Sequence, residues 1–425
     1  MEYQAVKGTR DFYPDEMRVR NWLFDTWRRV ALRNGFEQYA SPLFEHLDLY
    51  TAKSGEGIVS ELFHFTDRGG RDLAIRPETT PTLARMVNAR IHSLPRPIKW
   101  FCIQRLCRAE NPQRGRLREF FQWNVDVIGS DSVLADAECI FTAVDFLREV
   151  GLGPGEVQIR IGSRPLILAR LRAAGVAEEA MDAALLALDK RPKIPQDEFE
   201  KLAGTAGLAG AELTKVCAFL DADATTALAE AREDESMRPH CEQVDELLSA
   251  LAAMGVAEYC TPDWHIVRGL AYYTGIVYEV FDVAGSVPRA VAGGGRYDNL
   301  LEVLGGPRVG ATGFAMGDVV LGILLEEAGK VPLQELRRGL DIFVVRDGCE
   351  QGKALSVVGE LRRRGRSADF STKANVGKQL KEANRRGALY AVVVSGDGEL
   401  FVKDMSTGEQ SDEPKSIDEV AALTD

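Results

Sequence analysis

Between residues 15 and 34, apolar side chains at Met17, Trp22, Leu23, Trp27, Val30 and Ala31 recur at nearly helical spacing. The spacing predicts an amphipathic helix ended by Gly35. Such a helix can cover its own domain or face a second copy of the chain, and the pattern leaves both readings open. Residues 97–104 (PIKWFCIQ) and 121–129 (FQWNVDVIG) are rich in aromatic and β-branched side chains and predict two strands. Helical spacing returns over 131–150, with Asp131 or Ser132 as the cap. From about 163 to 257 the composition shifts to alanine, leucine and glutamate in short helical pieces broken by glycine and proline. This stretch reads as a helical insertion, or equally as a purely structural bundle. Apolar periodicity lapses from 327 to 340, which places one domain at 1–330 and another at 338–425. In the latter, LDIFVVRD, GRSADFS, YAVVVSG and ELFVKDM are strand candidates alternating with two helical segments, as in a small α/β domain with a mixed sheet. The fold class over the whole chain is α+β.

With 425 residues the chain exceeds one typical domain. No run approaches the roughly 18 apolar residues of a membrane span, and the start has no secretory pattern, so no membrane partner is expected. Seven cysteines, odd in number and without a CxxC pair, suggest reduced thiols and a cytoplasmic setting; Cys102 and Cys107 read as core. The five histidines lack ligand spacing, so neither a protein-held metal nor a histidine-based triad is expected. A net charge of −12 disfavours indiscriminate nucleic-acid binding but leaves room for one selectively bound RNA.

The candidate chemistry is densest in RLCRAENPQRGRLREFFQ, residues 105–122. It sets Arg108 and Arg116, with Glu110 and Phe120, into a predicted strand-loop-strand. Guanidinium groups suit phosphate oxygens, and a nearby carboxylate and aromatic ring suit a base. A solvated basic hairpin is the plainer reading of the same run.

The flanking segments decide between these readings. Residues 105–122 resemble motif 2 of the class II aminoacyl-tRNA synthetases, and of the histidyl-tRNA synthetase family in particular. KGTRDFYP (7–14) is similar to that family's opening signature, and GFEQYASPLFE (35–45), with Pro42, to motif 1. RPETTP (76–81) resembles its amino-acid-binding turn, VRGLAYYTG (267–275) its histidine signature, and AGGGRYDNLL (292–301) its glycine-rich turn. The resemblance implies a class II catalytic domain on an antiparallel sheet, with the 163–257 insertion near the tRNA acceptor arm and a C-terminal anticodon-binding domain. It implies a homodimer formed through the first helix and the Pro42 strand. The expected activity is ATP- and Mg2+-dependent activation of L-histidine and its transfer to tRNA(His). Arg108 and Arg268 would be catalytic; Arg108, Glu110, Arg116 and Phe120 would bind ATP. Glu78, Thr80 and Gln122 would hold the α-amino group, and Asp126, Arg268, Tyr272, Tyr273 and Tyr297 would complete the histidine pocket.

Four positions depart from the family pattern. GFAMGDVVL (313–321) stands where motif 3 belongs, but Val320 replaces the arginine that in the resembled family sits across the adenine and contacts the terminal phosphate. Ala271 replaces an acidic residue, Asn111 an arginine, and Asp126 a longer glutamate. Two other readings fit such changes: a synthetase-like regulatory subunit of ATP phosphoribosyltransferase, and a paralogue that senses uncharged tRNA. Retention of Arg108, Arg116, Arg268 and the C-terminal domain opposes the first, and the complete opening and histidine signatures oppose the second.

Overall fold

The computed structural model describes residues 3–54, 56–268, 272–287, 289–336 and 339–424. Ala271 therefore lies outside the described residues. The chain forms two compact units, Met1–Val331 and Pro332–Asp425.

The larger unit is built on an eight-stranded sheet. From one edge its order is Glu37–Gln38, Ile98–Cys107, Glu119–Ile128, Ala311–Gly317, Ala292–Arg296, Ile276–Asp282, Val157–Ser163 and Cys260–Pro262. The six inner strands are antiparallel to one another, as expected, whereas the two edge pairings are parallel, so the sheet as a whole is mixed. The expected strands at 97–104 and 121–129 form a hairpin paired from Ile98 with Ile128 to Cys107 with Glu119. Side chains alternate across a strand. In Glu119–Ile128 this sends Trp123, Val125 and Val127 into the main core, while Gln122, Asn124 and Asp126 line a cleft on the opposite face.

Helices cover the apolar face. Pro14–Arg33 begins with proline in its first turn and ends where Gly35 takes φ +78°, a left-handed conformation suited to glycine. Its Leu23, Trp27, Val30 and Ala31 are buried, whereas Met17 and Trp22 lie at the margin. Trp27 stacks on Trp123 at 5.9 Å between ring centroids. Trp123 also meets Phe146 and Phe314 edge-on, at 5.5 and 5.1 Å. Phe146 belongs to Val133–Glu149, whose cap is Ser132, accepting from the Leu134 N–H at 3.2 Å. Arg296 reaches the same helix through a buried ion pair with Asp136 at 2.5 Å and donates to the Ser130 and Ser132 carbonyls. That anchorage fixes the next residue, Tyr297.

The alanine-rich stretch folds as helices Arg164–Ala173, Met181–Lys190, Gln196–Thr205, Gly210–Asp221, Ala224–Arg232 and Arg238–Ala253. Their apolar faces join the main core of the larger unit. Ser163, taken from sequence as the start of this stretch, instead closes a strand and caps the first helix through the Leu166 N–H.

The smaller unit has a four-stranded sheet ordered Ala368–Phe370, Ile342–Arg346, Tyr390–Val394 and Leu400–Asp404. The first two pairings are parallel and the last antiparallel. Helices Gln351–Arg363 and Val376–Arg385 connect the strands, and Ile417–Ala422 starts from a Ser416/Glu419 capping box.

Trp27→Ala removes a fully buried ring from the stack that joins helix and sheet. We expect a loss of about 3–5 kcal/mol in denaturant unfolding. A loss under about 1 kcal/mol would show that the stack does not hold the first helix.

Candidate active site

The cleft on the polar face of the sheet has a volume of about 980 Å3. Every site residue expected from sequence lines it: Glu78, Thr80, Arg108, Glu110, Arg116, Phe120, Gln122, Asp126, Arg268, Tyr272, Tyr273 and Tyr297.

Backbone contacts hold the arginine-rich loop over the cleft. The Gly8 carbonyl accepts the N–H groups of Arg118 and Glu119, at 2.9 and 3.2 Å. Arg10 pairs with Asp318 at 2.6 Å, and Asp318 accepts the Phe121 N–H at 2.8 Å. The segment KGTRDFYP thus ties the loop to the end of the Ala311–Gly317 strand. On the other side, buried Arg76 donates to the carbonyls of Ser41, Pro42 and Arg105, which fixes the turn carrying Glu78 and Thr80. Arg108 Nε donates to the Pro77 carbonyl at 3.1 Å, and its guanidinium lies over the Phe120 ring. Arg116 Nη1 lies 2.6 Å from Glu110 Oε2.

Arg268 is held differently. Its φ of +47° is left-handed, the only such non-glycine backbone among the described residues, at a cost of about 1 kcal/mol or more. Its side chain enters space that exists only because position 293 is glycine: a Cβ there would fall 2.1 Å from Arg268 Nη1. The guanidinium lies 5.1 Å from the Tyr273 ring, and Nε is 3.5 Å from Glu279 Oε1. Burial opposes the charge, the Tyr273 and Glu279 groups facing the guanidinium act the other way, and Arg268 stays protonated. Its Nη1 is buried without a hydrogen-bond partner among the described residues. An unsatisfied buried cationic donor suits an anionic oxygen.

At the far side of the cleft the groups are polar but weakly charged. Tyr297 donates to Asp126 Oδ1 at 2.5 Å. Burial pushes Asp126 up to about 7, with the Tyr297 hydrogen bond opposing the shift. Burial and Asp126 hold the Tyr297 phenol well above its ordinary range, so it remains a donor. Gly313, the register partner of Asp126, leaves room for the carboxylate, because a Cβ there would lie 2.2 Å from Oδ1. Tyr272 packs against both Tyr273 and Tyr297. A carboxylate and phenols around a small cavity can pair with a ring bearing both a donor and an acceptor nitrogen.

Sequence reasoning missed Asn124, Glu279 and Arg289, which also line the cleft. The two-residue period Gln122, Asn124, Asp126 was a usable signal for the first. Glu279 and Arg289 carried none. Val320, the departure in motif 3, is buried on the same wall. Among the described residues, no group of three or more His, Cys, Asp or Glu side chains is placed to hold a metal ion.

A long hairpin whose arginine-bearing loop overhangs the polar face of a mainly antiparallel sheet defines a class II aminoacyl-tRNA synthetase fold. The family pattern described as histidyl-tRNA synthetase matches residues 8–318. Among curated proteins, a histidine–tRNA ligase of Natronomonas pharaonis is 40% identical over 97% of this chain and 96% of its own. One from Halobacterium salinarum is 39% identical with the same coverage. Among solved structures, histidyl-tRNA synthetase from Nostoc sp. PCC 7120 superposes with a TM-score of 0.80 at 22% identity, covering 99% of both chains. The chain belongs to the histidyl-tRNA synthetase family.

The raised Asp126 carboxyl gives a pH signature. Its unfolded value is about 3.9, so between about pH 4 and 7 the folded state binds more protons than the unfolded state, and stability falls as pH rises through that window. Asp126→Asn removes this loss, so the variant should gain stability relative to the parent from pH 5 to pH 8 in urea melts. A difference that does not change with pH would refute the raised carboxyl.

Proposed function

We propose that this chain is a histidine–tRNA ligase that forms histidyl-adenylate from L-histidine and ATP and transfers the histidyl group to tRNA(His). A carboxylate oxygen of histidine attacks the α-phosphorus, the bond from that phosphorus to the bridging oxygen breaks, and pyrophosphate leaves. The two reactants are anions and repel, and the wall of arginines offsets that repulsion. In this reading Arg268 and Arg108 grip the α-phosphate from opposite sides, and Arg116 takes the terminal phosphates. Glu110 and Phe120 receive the adenine, for which Glu110 must exchange its Arg116 contact. Glu78, Thr80 and Gln122 bind the α-amino group. Asp126 and Tyr297 face the imidazole with Tyr272 and Tyr273, and an apolar isostere would leave these buried groups unpaired. Mg2+ would enter as MgATP, screening the phosphates.

The observation that carries this reading is the placement of Arg108, Arg116 and Arg268 around the same cleft as the Asp126–Tyr297 pair. The alternative of a regulatory subunit is weaker, because the full-length relatives are ligases and the three arginines are retained. We further infer a cytoplasmic homodimer, with helix Pro14–Arg33 and the Pro42 segment at its interface. Leu32, Leu43 and Phe44 there are 55%, 43% and 50% exposed, surface that a second copy would cover.

We assign tRNA anticodon binding to the smaller unit. Lys378, Lys381 and Arg385 are exposed at i, i+3 and i+7 on Val376–Arg385, so they share one helix face, and none has an ion pair among the described residues.

Pyrophosphate exchange dependent on histidine tests the activation step. Arg268→Ala should lower its rate by about 100-fold or more, as for loss of one preorganised transition-state donor. Parent protein with no exchange would sink the ligase reading. Replacing Lys378, Lys381 and Arg385 with alanine should leave exchange intact, raise the KM for tRNA, and flatten the salt dependence of tRNA binding by about 0.7 per lost phosphate contact. Unchanged tRNA affinity would remove that helix from the RNA surface.

A further inference from the structure

Where the family pattern has an arginine in motif 3, this chain has Val320, an apolar side chain on the cleft wall. The structure brings the stem of another arginine to that place. A Cβ added at Gly115, in the arginine-rich loop, would meet Val320 Cγ2 at 3.4 Å, Arg289 Cδ at 3.5 Å and Val287 Cγ1 at 3.6 Å. The stem of Arg289 and the side chain of Val320 thus converge on one point of loop backbone, and both line the cleft. Arg289 comes from the segment before strand Ala292–Arg296, where its N–H bonds the Val287 carbonyl at 2.8 Å.

The surroundings of Arg289 point to an anion. The charged groups acting on it are Arg116 and Glu110. Glu110 is already in contact with Arg116 at 2.6 Å, and Arg289 has no ion pair of its own among the described residues. Two guanidinium groups therefore face one carboxylate in a partly desolvated cleft, an excess of positive charge that a polyanion relieves. Burial, and then the field of Arg116, lower the Arg289 pKa, the expected direction for a cation held near a like charge.

We infer that Arg289 replaces the motif 3 arginine as a ligand for the terminal phosphate of ATP, reaching from the segment that precedes strand Ala292–Arg296 to the wall that Val320 leaves apolar. The inference rests on the ATP-binding reading of this cleft. It also makes the loss at position 320 a relocation of charge, with the number of phosphate-facing arginines conserved.

The test is direct binding of MgATP and of AMP, by calorimetry, to the parent, Arg289→Ala, Arg289→Gln, and the double variant Arg289→Ala with Val320→Arg. Removing the guanidinium should weaken MgATP at least tenfold and leave AMP within about twofold. The arginine at 320 should restore part of the MgATP affinity. Equal weakening of MgATP and AMP in both single variants would show a general disturbance of the cleft and overturn the assignment, as would unchanged MgATP affinity. Arg289→Gln keeps much of the length and polarity of the side chain, so it still decides the question if the alanine variant folds poorly. The ligase reading fails separately, through absence of histidine-dependent exchange in the parent, while these nucleotide affinities remain measurable.

Discussion

The larger unit depends on one constraint, the two-residue period of the strand Glu119–Ile128. Because successive side chains leave opposite faces, a single stretch carries both the wall of the site and the wall of the core. Gln122, Asn124 and Asp126 face the cleft, while Trp123, Val125 and Val127 face the helices. A slip of one residue would bury the carboxylate against Trp27 and turn Trp123 toward the cleft. The aromatic stack on the apolar side therefore fixes where the polar groups stand. The pairing of Gly313 with Asp126 extends that control to the next strand, since only glycine leaves the carboxylate its space.

The charges are preorganised at a conformational cost. Arg268 sits in a left-handed backbone and fills the space that Gly293 leaves. A guanidinium fixed in this way need not reorganise as negative charge shifts during displacement at a phosphorus centre, which is the property that makes such donors effective. The contact between Arg116 and Glu110 is of another kind, since each partner has a role with nucleotide in the proposed mechanism.

Local signals made much of this legible in the sequence alone. The first helix could be read from Trp27, Val30 and Gly35, and the hairpin from two aromatic-rich runs, because burial on one face imposes a period that survives in sequence. The cleft residues were legible through short motifs, which lie far apart in sequence and which the fold brings to one cleft. What escaped has a common origin in long-range pairing. The parallel edge strands Glu37–Gln38 and Cys260–Pro262 are two and three residues long, too short to show a period, and are defined only by their partners. Arg289 is a lone arginine beside a glycine run, and nothing near it in sequence says that it meets Val320. Ser163 illustrates a boundary effect, since one residue serves both as the end of a strand and as the cap of a helix.

The tether between Gly8 and the backbone of Arg118 and Glu119 has a mechanical consequence. Two amides of the loop that overhangs the cleft hang from a carbonyl near the chain's beginning, and the Arg10–Asp318 pair tightens the same knot from the opposite end of the domain. Displacing that loop would break the two bonds to Gly8 or carry the Gly8–Arg10 backbone with it. Gly8 and Arg10 thus brace the base of that loop from two sides, so a change in this short stretch is felt at the arginines of the cleft.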